Sequence, residues 1–378
     1  MKFEVSAKQF RDAFTQAGRV VPANTPKPVL KCVLMQADGD SVKLIATDMN
    51  VQIEVPVSGV TVREPGRVLL PKDVTDRILK ASDTDNLAFS TAGNSIEVET
   101  FGTTGKRRSA KWSAQIEDPD LFPVRDTDSI GFLFSVTGND FKTSIPRVAA
   151  CCDVRSGGWM SGVLIESIGD NQIRFVGTDS HRMGIVTLPM SMILTDAIPE
   201  RPVIPAALLR TAVGCIPTGE SLVSIGFAGK TAIAFNFGND IVLSGQLLDG
   251  RFCNYKMLLE SIGVGGKATV STPELLASIE AASVASDKMS SGASFAFGDK
   301  LLRITREVEG SRAEVDCEIV YGGSPVTALY DPALIPTDVF RGIDSDVKWT
   351  GIDAKLPSRI DVESAGLIYL IVPMEKVK

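Results

Sequence analysis

The sequence predicts an α+β protein of three tandem similar domains, each with two helices packed on antiparallel sheets. Three observations predict it. A segment that ends a strand and opens a helix recurs three times, at a period of about 130 residues. A proline-led second helix start recurs at the same spacing in the first two units, at Pro71 and Pro205, with a fainter counterpart in the third. Strands with period-two alternation follow. At 378 residues the chain fits two or three domains, each able to bury an apolar interior.

The copies of the first segment are Val5-Ser6-Ala7-Lys8-Gln9-Phe10, Val136-Thr137-Gly138-Asn139-Asp140-Phe141 and Val270-Ser271-Thr272-Pro273-Glu274-Leu275. Each offers Ser or Thr as an N-cap, whose hydroxyl can accept a bond from an otherwise orphaned N–H. Each continues with an apolar pair four residues apart, Phe10/Phe14, Phe141/Ile145 and Leu275/Ile279. That spacing puts both side chains on one helical face. The second helices open at Leu70-Pro71-Lys72 and Ile204-Pro205-Ala206, where proline's missing donor costs nothing. Their counterpart, from Asp331-Pro332 to Phe340, is interrupted by Pro336. Alternating strands are expected at 87–89, 95–99 and 232–237.

A shorter repeat, strand then polar turn then strand, is clearest in 175–186 around Thr178-Asp179-Ser180-His181-Arg182. An earlier copy surrounds Thr47-Asp48-Met49-Asn50, and a blurred third is Leu302-Arg303-Ile304-Thr305-Arg306. Asp179 beside the only histidine, His181, reads as an Asx-turn residue. An acidic, proline-containing connector at 117–126 and a second at 249–255 divide the chain into 1–123, 124–252 and 253–378.

With 44% hydrophobic and 22% charged residues the composition is that of an ordinary globular protein. No apolar run reaches membrane-spanning length, and the N-terminus lacks a signal-peptide core, so a cytoplasmic protein is expected. The six cysteines include no CxxC and read as small buried hydrophobes. A net charge of -7 removes any bulk attraction to nucleic acid.

The three units, Thr178-Asp179-Ser180-His181-Arg182, Leu248-Asp249-Gly250-Arg251-Phe252 and the terminal Tyr369-Leu370-Ile371-Val372-Pro373-Met374 together resemble the bacterial DNA sliding clamp family, the beta subunit of the DNA polymerase III holoenzyme. The resemblance covers the whole chain in order. It implies the DNA clamp fold, with each chain forming half of a ring. Two chains would join head to tail as a homodimer around double-stranded DNA, held without regard to sequence, as a processivity factor for the polymerase. The implied partners are the DNA polymerase III catalytic subunit, the clamp loader and other proteins bearing a clamp-binding motif. No catalytic site, cofactor, metal or membrane is implied. A closed ring holds by topology, so its phosphate contacts can be weak and a net negative chain is acceptable.

DNA-facing candidates on the helices are Lys8, Arg11, Lys72, Arg77, Lys80, Lys142, Arg147 and Arg210. The third unit's helices instead carry Glu274, Glu280, Asp331 and Asp338. By residue-for-residue match to the family, partner peptides would dock between the second and third domains. That pocket would hold Met160, Thr178, Ser180, His181, Arg182 and Met183, then Cys253, Met257 and Leu258, and finally Leu370, Ile371, Val372, Pro373 and Met374. Its methionines give an adaptable apolar wall. The family usually has glycine at 180, proline at 253 and arginine at 257 and 375, where this chain has Ser180, Cys253, Met257 and Glu375. Those exchanges, and the insertion-like loop Ser156-Gly157-Gly158-Trp159, bear on peptide preference. By the same analogy Arg107, Arg108 and Trp112 would meet Val284, Glu307 and Glu309 across the dimer interface, pairing unpaired sheet edges.

Two stretches imitate phosphate-binding loops, Gly229-Lys230-Thr231 and Gly266-Lys267-Ala268. Each lacks the upstream glycine, and both read as strand turns. One histidine supports neither a Ser-His-Asp arrangement nor a zinc cage. The alternative to a clamp is a three-domain β-rich scaffold protein with no DNA role.

Overall fold

The structure, a computed structural model, describes the chain apart from residues 40, 82–84, 93–94, 102–110, 128–129, 194–197, 220, 286–291, 309, 336 and 376–378 and the side chains of 92, 101 and 337. It divides into two compact units, one made of 1–138, 192–197 and 214–246, the other of 139–191, 198–213 and 247–378.

The first unit holds a five-stranded sheet, in the order Val60–Glu64, Lys2–Ser6, Asn86–Ala92, Ser95–Phe101 and Lys111–Gln115. Its nine-stranded sheet runs from Ser191–Met192 through Phe132–Thr137, Leu222–Ala228, Ala232–Asn236 and Val242–Gln246 to Val51–Val57, Ser41–Thr47, Cys32–Asp38 and Gly66–Pro71. Strands of two sequence repeats therefore share one ladder, joined where Val242 pairs with Glu54 and Gly245 with Val51. The second unit repeats the device. Arg182–Pro189 pairs with Leu367–Ile371, from Arg182 opposite Ile371 to Val186 opposite Leu367, inside a second nine-stranded sheet. Its four-stranded sheet ends in the edge strand Ser311–Glu318.

Helices form where the repeat places them. The first of each pair are Ala7–Ala17, Gly138–Ala149 and Thr272–Ala282, and the second are Lys72–Ala81, Ala206–Cys215 and the single turn Thr337–Phe340. The apolar pairs are buried as the four-residue spacing requires: Phe10, Phe14, Phe141, Ile145, Leu275 and Ile279 are all in the core. At Ser6 and Ser271 the expected hydroxyl cap does not form. Ser6 and Ser271 stand at the N-cap positions with extended backbone, but neither side chain bonds the helix. The first N–H of two of these helices finds a neighbouring backbone: that of Ala7 donates to the Asp85 carbonyl at 2.9 Å, and that of Gly138 to the Ser221 carbonyl at 2.7 Å. An orphan donor satisfied in this way needs no side chain.

Aromatic rings fill the cores. Phe89 stacks on Phe3 and touches Phe10, both at 4.7 Å between centroids. In the second unit Trp349 packs against Phe295, Phe297 and Tyr330, and its indole N–H donates to Ser358 Oγ at 2.7 Å. The connector at 117–126 is fastened rather than loose. Phe122 is buried with Cys32, Leu34, Ile45 and Leu69, while Gln52 exchanges hydrogen bonds of 2.8 and 2.9 Å with the backbone of Arg125.

Of the two imitation phosphate loops, Gly229-Lys230-Thr231 is a turn between strands, with Gly229 at φ 58°. Gly266-Lys267-Ala268 is not: it opens the strand Gly266–Ser271, paired on both sides. The third copy of the short repeat also differs from expectation. Leu301–Val308 runs through it as one strand. The reason is chemical, since Asp48 and Asp179 each turn their chain by accepting two backbone N–H bonds, and the third copy has no acid at that place.

Candidate functional site

The turn at 178–182 is held by Asp179. Its Oδ1 accepts the amides of His181 and Arg182, both at 3.0 Å, and its Oδ2 accepts Arg182 Nε at 2.9 Å. Thr178 Oγ1 donates to the Arg182 carbonyl at 2.7 Å. The geometry forces Ser180 to φ 73°, a left-handed conformation costly for a residue with a Cβ. Beyond the turn, the register sets Met183 beside Leu370. The Val372 N–H extends the ladder to the His181 carbonyl at 2.9 Å.

These strands floor an apolar cavity of about 210 Å³, with Thr178, Ser180, Arg182, Met183, Leu370 and Val372 on one side and Trp159, Cys253, Leu258 and Pro357 completing the wall. Beneath lies a buried apolar cluster of Leu164, Val176, Met183, Ile185, Phe252 and Tyr255. Trp159 is set against Phe252, edge to face at 5.1 Å. The helix Tyr255–Glu260 is anchored from below: Tyr255 Oη donates to Glu166 at 2.6 Å and Lys256 Nζ to its other oxygen at 2.7 Å. Burial raises the Glu166 pKa, but those two bonds outweigh it and hold the carboxyl below its ordinary range. The five other cysteines are buried as expected, whereas Cys253 is half-buried in the wall, and burial raises its thiol pKa.

Of the residues expected in the pocket, eight line this cavity: Thr178, Ser180, Arg182, Met183, Cys253, Leu258, Leu370 and Val372. Ile371 and Pro373 are buried and do not line it, because successive residues of a strand face opposite sides. His181 and Met257 are exposed beside the mouth, Met160 is partly buried, and Met374 is drawn off by a 2.7 Å bond from its N–H to the Leu329 carbonyl. Trp159 and Pro357 were not among the expected pocket residues. The Gly157-Gly158 pair, both at positive φ, turns the backbone just before Trp159 and is the signal for it. Pro357 follows an Asx turn in which Asp353 accepts the amides of Lys355 and Leu356 at 2.7 and 3.0 Å.

Among the basic candidates, Lys8, Arg11, Arg77, Lys80, Lys142 and Arg210 are exposed on their helices, and half-buried Lys72 pairs with Asp76 at 2.8 Å. Arg11 and Arg210 each donate to a carbonyl near the end of the neighbouring helix, Leu79 at 3.0 Å and Ala149 at 2.9 Å. This satisfies an orphan acceptor at the negative end of the helix. Arg147 is a correction. It is 8% exposed, and its guanidinium donates to the carbonyls of Val339 and Arg341. Its side chain serves as a tie between two segments of the second unit, beside a polar cleft of about 530 Å³ lined by Asp140, Thr143, Thr187, Asp344, Ser345 and Ser364 among others.

Of the residues expected at a dimer interface, Trp112 is half-buried on the edge strand Lys111–Gln115, and Val284 and Glu307 are exposed. Arg107, Arg108 and Glu309 lie outside the described residues. Among the described residues no three His, Cys, Asp or Glu side chains gather as metal ligands, and no helix is long and apolar enough to cross a membrane.

Comparison with known proteins agrees along the whole chain. A family model described as the N-terminal domain of the DNA polymerase III beta subunit matches residues 1–118, and one described as its central domain matches 135–254. The beta sliding clamp of Chlamydia pneumoniae is 23% identical over 377 residues, covering 99% of both chains. That of Escherichia coli K12 is 23% identical and is covered in full, over 99% of this chain. The solved DNA polymerase sliding clamp of Bacillus subtilis superimposes with a TM-score of 0.89 at 17% identity, covering both chains completely.

Proposed function

Because the chain belongs to the bacterial DNA sliding clamp family, the non-catalytic and DNA-encircling beta subunit of DNA polymerase III, we propose that it works as a homodimeric ring that tethers the replicative polymerase. The ring comprises two copies of domains 1–123, 124–252 and 253–378. DNA polymerase III, the clamp loader and other partners dock a short peptide in the apolar cavity floored by Met183 and Leu370. The observation that carries this reading is that cavity, built where strands of two successive repeats pair, with Trp159, Cys253 and Leu258 closing it. In a cytoplasmic ring, double-stranded DNA meets Lys8, Arg11, Lys72, Arg77, Lys80, Lys142 and Arg210. These contacts carry no base information and so permit sliding. Edge strands pair across chains, with Trp112 and the neighbouring Arg107 and Arg108 meeting Val284, Glu307 and Glu309.

Light scattering behind size exclusion tests the oligomer. A mass of twice 40.4 kDa is expected, and a monomer at all concentrations refutes the ring. Encirclement is tested by loading the protein on nicked circular DNA and then cutting the circle. Release on linearisation is expected, and equal retention on both forms refutes it. The pocket is tested by pull-down with a polymerase-derived clamp-binding peptide, for which a chain truncated before Leu370 should lose capture.

A further inference from the structure

The mouth of the cavity continues outward as an apolar apron. Leu258 and Pro357 are both part of the cavity wall. Next to them, Met257, Leu258 and Leu356 stand 64, 41 and 51% exposed. Leu356 lies against the loop that follows the helix Tyr255–Glu260, its Cδ1 3.8 Å from where a Cβ on Gly263 would sit. Soluble proteins seldom gather such side chains around one opening without a partner to cover them.

The ionic groups around this apron are largely matched within the chain. Arg182 is held by Asp179 at 2.9 Å and Lys256 by Glu166 at 2.7 Å. The Asp353 carboxylate is occupied by backbone amides. Glu260 and Lys355 are exposed and of opposite sign. Of the other cations by this wall, Arg201 spends its Nη2 on the Phe252 and Cys253 carbonyls at 3.3 and 2.8 Å, while Arg251 and Lys355 stand in solvent, so a carboxylate placed over Leu258 and Leu356 would lose water in exchange for a solvent-screened partner.

Resting on the reading of the cavity as a peptide dock, we propose that this chain selects partner peptides in which the apolar anchor is flanked by a further apolar residue rather than an acid. That residue covers Leu356 and Met257, while the anchor occupies the cavity. Contact area, not charge, then sets the preference among partners.

Two short blocked peptides test this, identical in a Leu-Phe anchor and differing only in whether Leu or Asp flanks it on both sides. Fluorescence anisotropy against the full chain should show the Leu peptide binding about tenfold tighter. Both affinities should hold between about 0.05 and about 0.5 M NaCl, where an ionic contact would weaken with screening. In L356S, a surface change, the advantage should fall to about twofold or less. Equal or tighter binding of the Asp peptide, or an undiminished advantage in L356S, overturns the proposal while leaving the dock intact. Failure of both peptides to bind, or binding undisturbed by L258E in the cavity wall, overturns the dock and the proposal together.

Discussion

Replacing Arg147 by methionine separates a structural tie from a phosphate contact. The wild-type guanidinium donates to Val339 and Arg341 carbonyls more than 190 positions away in sequence, and each bond from a charged donor contributes about 1.5–3 kcal/mol. Two effects reduce the sum. Burial lowers the Arg147 pKa, a sign that the cation is itself strained by desolvation, and the polar cleft beside it lets water reach the abandoned carbonyls. A net loss of about 2 kcal/mol is expected for R147M. R147K should recover less than half of it, because an ammonium cannot span two acceptors as a planar fork does. Urea unfolding followed by tryptophan fluorescence in a W112F background reports on the right unit, since Trp159 and Trp349 both lie with Arg147. Binding to linear duplex should keep its salt slope in R147M, whereas K142A should lower the slope by about 1. A stability loss below about 0.5 kcal/mol, or a salt slope that falls in R147M, would refute the assignment of Arg147 as a tie.

Three further outcomes are expected. S180G should stabilise the second unit by up to about 1 kcal/mol, read as a higher urea midpoint, because glycine accepts φ 73° without strain. D179A should cost more than D48A, by on the order of 1 kcal/mol, since both lose an Asx turn but only Asp179 also holds an arginine; equal costs would mean the ion pair contributes nothing. Raising the pH from about 8 to about 10 should destabilise the fold. Burial raises Cys32 and Cys215 to about 11 and Cys152 to about 12. These native thiols stay protonated while the unfolded ones ionise. Stability is thus full below the ordinary thiol pKa and drains as pH climbs toward the native values, by on the order of 1 kcal/mol per thiol at about pH 10. An alkaline midpoint equal to the neutral one would contradict that burial.

The helix pairs were legible because local chemistry alone specifies them: Phe10 with Phe14 and Phe141 with Ile145 give each helix one apolar face whatever it meets. The turn at Asp179 was equally legible, since its acid bonds residues two and three ahead. What the sequence hid depends on distant partners. Ser6 is an apt cap whose hydroxyl bonds nothing in the helix, while the first helical N–H, on Ala7, goes to the distant Asp85 carbonyl, and Arg147 looks like any basic residue on an amphipathic helix until Val339 and Arg341 arrive. Eight of the ten residues lining the cavity were expected through the family resemblance, and strand alternation then divides Leu370 and Val372 from Ile371 and Pro373. Trp159 and Pro357 reach the cavity through loop geometry that no periodicity encodes.

The shared ladders have a mechanical implication. Neighbouring repeats are stitched by rows of backbone hydrogen bonds, Val242 to Glu54 in one place and Arg182 to Ile371 in another, so bending the chain at either seam means tearing a sheet. Within each unit, a load that spreads neighbouring repeats is therefore shared by many amide hydrogen bonds at once, where a seam of side chains would yield contact by contact.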